Sequence, residues 1–406
     1  MVHILPSGHS LLQIKKFPNE TQVQLMNNKS EMKQMVSPKN NFSYFVKYGW
    51  TLIILVIGSC ADSEQGRAPK LLNVFNIVKF PNEGCNSSIS NVYGVCYTSS
   101  ECSTYGGTSS GSCASGFGVC CTFTGGCSGS TSLNNTYFKS SDSDSSPCLF
   151  SVCKSNDDIC QIRLNFNTFD IAQPSTNNPS QTQPNGRTQC QQAQFLATTS
   201  DGNNSPTICG TNTDYHMIVD ADDDCNTLSF TWSSSTTRSW NIQIMQISCD
   251  AKWKPPEGCL QHFTGTTGYI YSYNYAGGTH LATQDYSNCI RTEQGYCSIE
   301  YTPVGGNFKI SGPAPTATAN RGDTCATDYI IISGGGSTAG ATTNFDRFCG
   351  SLFSVTDGST TGSTIFANKQ PFQVGVFMDG NEVNPSTSVA ESSVGFYIYY
   401  KQTACT

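Results

Sequence analysis

The sequence predicts an all-β chain: two antiparallel β-sandwiches preceded by a small cysteine-rich module stapled by disulfides. Three observations carry that reading. Apolar residues alternate with polar ones at period two, as in Ile162, Leu164 and Phe166 of "CQIRLNF" and Phe372, Val374 and Val376 of "FQVGV". Twenty-one cysteines among 406 residues, about five per cent, exceed ordinary cytosolic usage and mark an oxidising compartment. Charged residues make up only 13%, Ser, Thr, Asn and Gly abound, and stretches rich in Ala, Leu, Glu and Lys at helical spacing are missing.

Residues 1–61 read as an N-terminal extension and signal peptide. In "KYGWTLIILVIGSCADSEQG", Lys47 gives a positive flank, Trp50 to Gly58 an apolar core, and Ser59-Cys60-Ala61 a small-residue pattern cleaved after Ala61. An apolar run of about ten residues is too short to cross ~30 Å of hydrocarbon as a helix. The alternative is an uncleaved anchor at 48–60, the one arrangement in which a membrane is a partner. About 46 residues precede the apolar core, more than a signal usually carries. Translation from Met35 rather than Met1 gives one of ordinary length.

From residue 62 on, twenty cysteines remain, an even number as full pairing requires. Sixteen Lys and Arg face 27 Asp and Glu, a net charge of −11. That balance argues against nucleic acid, heparin and anionic membranes, which all need a basic surface. Asn86, Asn134 and Asn203 stand in glycosylation sequons, which export would make usable.

After a linker at 62–84, the cysteines fall into three even groups: six at 85–121, eight at 127–249 and six at 259–405. The first group has few apolar residues and cannot bury enough surface to hold itself together, so disulfides must do so. Its adjacent pair, Cys120 and Cys121, cannot easily bond to each other, because the eight-atom ring departs from disulfide geometry. The other two groups carry the alternating strands, including Trp240, Ile242 and Ile244 of "SWNIQI" and Val394, Phe396, Ile398 and Tyr400 of "SVGFYIYY". Pro255-Pro256 in the 250–258 segment stiffens the chain and cannot join a central strand, which makes that segment a linker. The stretch 174–188 is a polar loop.

The third group resembles the CUB family of secreted β-sandwich modules. Gly268, Ile270, Ser272, Asn274 and Tyr275 of "GYIYSYNY" look like its early element, with Tyr273 in place of the family's proline. Cys325 with Asp328-Tyr329, Cys349-Gly350, and Gly395-Phe396 with Tyr400 look like its later ones. The second group is similar through Cys127, Cys148, "LNFNTFDI" and Cys190 with Cys209-Gly210, but lacks the closing Gly-Phe. The resemblance implies Cys127–Cys148, Cys190–Cys209, Cys259–Cys289 and Cys325–Cys349. The cysteines it leaves over are then expected as Cys153–Cys160, Cys225–Cys249 and Cys297–Cys405. The first group, 85–121, resembles a clip module, which implies Cys85–Cys120, Cys96–Cys113 and Cys102–Cys121. Its third-to-fourth spacing is short for that family. A clip-like module before two CUB-like ones resembles secreted arthropod CUB-domain proteins.

The CUB resemblance also raises calcium, the one cofactor in question; no other is expected. Many members hold Ca²⁺ through a Glu and two Asp, since a hard cation wants several oxygens and negative charge. Asp328 and Asp379 fill the Asp positions of the third group, but the acidic residue expected near "FKISGP" is missing. In the second group Ala172 and Ala193 stand where carboxylates would be. No enzyme is expected: Gly-Asp-Ser-Gly and His-Glu-x-x-His are absent, and His216, His262 and His280 read as surface or packing residues. Zinc is disfavoured because Cys-x2-Cys knuckles are missing. Arg321-Gly322-Asp323 and the acidic run 220–225 read as chance tripeptide and solvated turn. The tyrosines of "GYIYSYNY" are numerous enough to suggest a binding edge.

The expectation is a secreted, non-enzymatic extracellular protein that binds a protein or glycan through its sandwich modules. Two alternatives stand beside it: a structural component of matrix, cuticle or eggshell, and a non-catalytic regulator of an extracellular protease cascade.

Overall fold

The computed structural model describes residues 13–15, 76–89, 92–175, 188–233, 236–310, 318–338, 341–380 and 394–405. Met35, the 48–60 segment, Ala61 and most of the 174–188 loop lie outside them. The chain is all-β: two sandwiches behind a disulfide-stapled cysteine-rich module.

In the first sandwich, alternation sets the buried face. Ile159–Asp170 turns Ile162, Leu164 and Phe166 inward and pairs antiparallel with His216–Asp220 on one side and Ser239–Ser248 on the other. Thr136–Lys139 follows at the far edge of Ser239–Ser248. The facing sheet orders Ala193–Thr198, Asn226–Trp232, Cys148–Val152 and Gly129–Thr131. Between the sheets Phe138, Phe150, Phe166, Phe169, Phe195, Phe230 and Trp240 are buried, with Phe230 stacked on Trp240 at 4.0 Å. Aromatic pairs of this kind add about 0.5–1.5 kcal/mol beyond plain burial.

The second sandwich packs a six-stranded sheet on a four-stranded one. The first runs Cys259–Phe263, Gln284–Ile290, Phe372–Met378, Tyr329–Gly335, Phe345–Gly350, Ala319–Arg321. The second runs Thr267–Tyr271, Gly395–Ala404, Tyr296–Lys309, Ile365–Ala367. Phe372, Val374 and Val376 meet Phe396, Ile398 and Tyr400 in the core between them.

The cysteine-rich module has a small core of Val95, Tyr97, Cys102, Cys121 and Phe123. Its α-helix, Ser99–Thr104, is capped reciprocally: the Thr98 hydroxyl accepts from Glu101 N–H, and the Glu101 carboxylate accepts from Thr98 N–H. Cys120 and Cys121 are successive residues of the strand Gly118–Gly125 and so face opposite sides. One bonds Cys85, the other Cys102, and Cys96 bonds Cys113. Three such bonds, at about 2–4 kcal/mol each, supply what so small a core cannot. The module does not stand apart. The end of Gly118–Gly125 lies parallel to Thr136–Lys139, with Phe123 beside Thr136, and Tyr93 N–H donates to the Tyr137 hydroxyl at 2.7 Å. Module and first sandwich therefore share one eight-stranded sheet.

The sandwiches hold Cys127–Cys148, Cys190–Cys209, Cys259–Cys289, Cys297–Cys405 and Cys325–Cys349. Two expected bridges are corrected. Cys153 bonds Cys225, not Cys160, and Cys160 bonds Cys249. Strand register is the reason. Cys153 follows Val152, whose cross-strand partner is Asn226, so Cys225 arrives beside it with Cα atoms 4.1 Å apart. Ile159 pairs with Ser248, which brings Cys160 to Cys249 at 4.8 Å. Cys153 and Cys160 are close in sequence but belong to opposite sheets.

Candidate binding surface and calcium site

The two sandwiches meet along a hydrogen-bonded junction. Tyr273 points inward from the turn after Thr267–Tyr271, and its hydroxyl donates to the His216 carbonyl at 2.9 Å. Gln261 Nε2 donates to the same carbonyl, and the His262 backbone N–H donates to His216 Nε2 at 2.9 Å. Asn274 follows with φ +59°, its N–H on Asn212 Oδ1 and its own Oδ1 accepting from Thr211 N–H. Gly210 is required here. It has φ +76°, and a Cβ on it would lie 1.9 Å from Asn274 Oδ1. Tyr215 stacks on Tyr271 across the same seam at 4.1 Å.

All three histidines from residue 62 on are buried packing residues, and none lies at the surface. Burial, then Arg163 and His262, hold the His216 imidazole well below its ordinary pKa. His262 is lowered by burial, then by Arg163 and Arg291. Tyr273 is held well above the usual phenol value, chiefly by burial. These groups are neutral at physiological pH, which suits a seam of neutral hydrogen bonds.

The structure brings Asp328 and Asp379 together. Tyr329 and Phe377 are cross-strand partners, so the residues flanking them meet at one end of the six-stranded sheet. Asp328 is 3% exposed, and its Oδ1 accepts from Asp379 N–H at 2.8 Å. Asp379's carbonyl accepts from Thr283 N–H. The contact runs from the Asp328 carboxylate to the Asp379 backbone; a hard cation here would take carboxylate oxygens from these two residues and its other oxygens from backbone and water. Residues 311–317, beyond the "FKI" strand end, lie outside the described residues.

Among the sequon residues, Asn86 and Asn203 are exposed. Asn134 is half-buried, its Oδ1 accepting from Asn135 N–H and Gln246 N–H, both at 2.9 Å. The Arg321 guanidinium sits 3.5 Å over the Phe345 ring. Cys127, Cys148 and Asp144 cluster, but the two sulfurs are bonded to each other. Of the "GYIYSYNY" tyrosines, Tyr273 faces inward, while Tyr269, Tyr271 and Tyr275 stay on the outer side.

The signature of the second sandwich, with its Cys-x-x-Asp-Tyr strand and closing Gly-Phe, now has its geometry. Residues 256–403 match the family model for the animal CUB domain. The second sandwich is a CUB domain. No curated protein matches the chain. Among solved structures, the chain is similar to the CUB1-EGF-CUB2 domain of human MASP-1/3, at 14% identity over 66% of this chain and 98% of that one, TM-score 0.21. It is also similar to the full extracellular region of zebrafish Gpr126/Adgrg6, at 10% identity over 70% of this chain and 33% of that one, TM-score 0.22. Similarities this loose transfer no role.

The junction was invisible to sequence reasoning as a site. One signal pointed at it: Tyr273 departs from the CUB pattern, and Tyr273 is the side chain that reaches into the neighbouring sandwich. Among the described residues no helix is long and apolar enough to cross a membrane.

Proposed function

We propose that this is a secreted, non-enzymatic extracellular protein that binds another protein, built from a clip-like module at 85–121 and two CUB-type units at 127–249 and 259–405. The observation that carries the reading is the CUB domain at 256–403, joined to the first sandwich by the hydrogen bonds of Tyr273, Gln261, His262 and Asn274. CUB domains are generally non-catalytic and extracellular binding modules. Loops on rigid sandwiches are suited to contact, because the scaffold bears the ordering cost before binding. Asp328 and Asp379 hold Ca²⁺ in this reading, and Asn86 and Asn203 carry glycans.

The test is capture from extracellular fluid with the 62–406 chain, with and without EDTA. A saturable partner and a monodisperse bait support the proposal, and dependence on EDTA assigns the contact to calcium. Self-association without a partner would replace it with a matrix role.

A further inference from the structure

The outer face of the CUB domain's four-stranded sheet carries a stripe of tyrosine rings. Tyr269 and Tyr271 project from the same side of Thr267–Tyr271, and their cross-strand partners are Tyr399 and Tyr397. Ring centroids are 5.4 Å apart for Tyr269–Tyr399, 5.3 Å for Tyr269–Tyr397 and 5.9 Å for Tyr271–Tyr397. Tyr275 flanks Tyr397 at 5.5 Å. At the far end Tyr271 stacks on Tyr215 of the first sandwich, so the stripe crosses the junction. Tyr269 is 48% exposed.

Charge identifies what such a surface takes. The face of a tyrosine ring is negative and attracts a cation within about 6 Å of its centroid. Elsewhere the chain covers rings with its own cations: Arg238 over Trp232, Arg321 over Phe345, Arg347 over Tyr329 and Lys139 over Tyr137. Among the described residues, none lies over the stripe. Lys401, on the strand that bears Tyr399, is tied to Glu300 at 2.9 Å. Exposed Asp214 adds negative charge beside Tyr271, whose phenol is pushed up first by burial and then by that carboxylate. The chain from residue 62 carries −11.

Resting on the binding role argued above, we propose that this stripe is the docking surface for an Arg- or Lys-rich segment of a partner protein. The partner's cations seat over Tyr269, Tyr397 and Tyr271, with Asp214 completing the site. Tyrosines suit the task, because each offers a large rigid face for two rotatable bonds.

A fluorescent peptide alternating Arg with Gly and Ser tests it by anisotropy against the 62–406 chain, beside the same peptide with citrulline for Arg. The Arg peptide should bind, with affinity falling as salt rises, and citrulline should weaken it about tenfold. Tyr269→Leu with Tyr397→Leu should weaken it about tenfold, whereas the paired Phe variants, which keep the ring faces, should stay within about twofold. Unchanged thermal unfolding shows that the Leu pair is folded. Equal binding by the Leu pair and the native chain, equal binding of the citrulline peptide, or no binding of the Arg peptide would each overturn the assignment. So would a neutral oligosaccharide that binds the native chain and not the Leu pair, which would make the stripe a sugar platform. Capture from extracellular fluid by the Leu pair at native strength separates the cases: the binding role stands and the stripe falls.

Discussion

Tyr273 does at one position what a proline could not: it supplies a hydroxyl that reaches 2.9 Å to a carbonyl of the other sandwich. Tyr273→Phe keeps the ring and removes that bond. The His216 carbonyl retains Gln261 Nε2, so no acceptor is stranded. The expected loss is therefore about 0.5–1.5 kcal/mol by chemical denaturation, the net worth of one hydrogen bond. Asp328 allows a finer separation. Asp328→Ala removes the acceptor of the Asp379 N–H and should cost about 0.5–1.5 kcal/mol, while Asp328→Asn keeps an oxygen acceptor and should cost less. Both remove a carboxylate, so both should abolish any rise in melting temperature with Ca²⁺. A full calcium response in Asp328→Asn would remove that residue from the proposed site.

Strand pairing decides what a cysteine can reach, and it is here that sequence and structure part. Proteolysis of the non-reduced protein followed by mass mapping should recover Cys153 linked to Cys225 and Cys160 linked to Cys249. A peptide pair joining Cys153 to Cys160 would contradict the register of both sheets. The alternating runs around Ile162, Trp240, Val374 and Ile398 were legible because period-two burial is a local property of each strand. Register is not local, and so the two crossing bridges were beyond reach of spacing. The helix at Ser99–Thr104 was within reach, since Thr98 and Glu101 form a capping box three residues apart. Asp328 and Asp379 were legible as types at matching positions. That one carboxylate accepts the other's N–H was not, because it depends on the pairing of Tyr329 with Phe377.

At the scale of the molecule, the junction joins two sandwiches through groups that must stay neutral. His216 Nε2 accepts a hydrogen bond, so the proton it lacks is the condition for the seam. Among the described residues, the charged groups that act on its imidazole, Arg163 and His262, both disfavour an imidazolium. Arg163 comes from Ile159–Asp170 with Asn165 bonded to its guanidinium, His262 and the Phe263 ring come from Cys259–Phe263, and Tyr273 comes from the turn beyond. The folded-state pKa is therefore depressed relative to the ordinary value of about 6.5. Below that value the unfolded chain binds a proton that the folded chain refuses, so stability rises with pH across the window and falls on acidification. The native chain should lose melting temperature between about pH 7 and pH 5, before most carboxylates titrate. Its radius of gyration by solution scattering should grow as the sandwiches uncouple. In His216→Gln an amide oxygen can accept the His262 N–H at any pH, which should reduce both responses to the share that the depressed His262 contributes. An identical acid slope in that variant would place the sensitive group elsewhere. The stacking of Tyr215 on Tyr271 belongs to the same seam, so acid that opens it should also break the stripe at its inner end. Binding of the Arg peptide should then weaken in the native chain over the same pH window, and weaken less in His216→Gln.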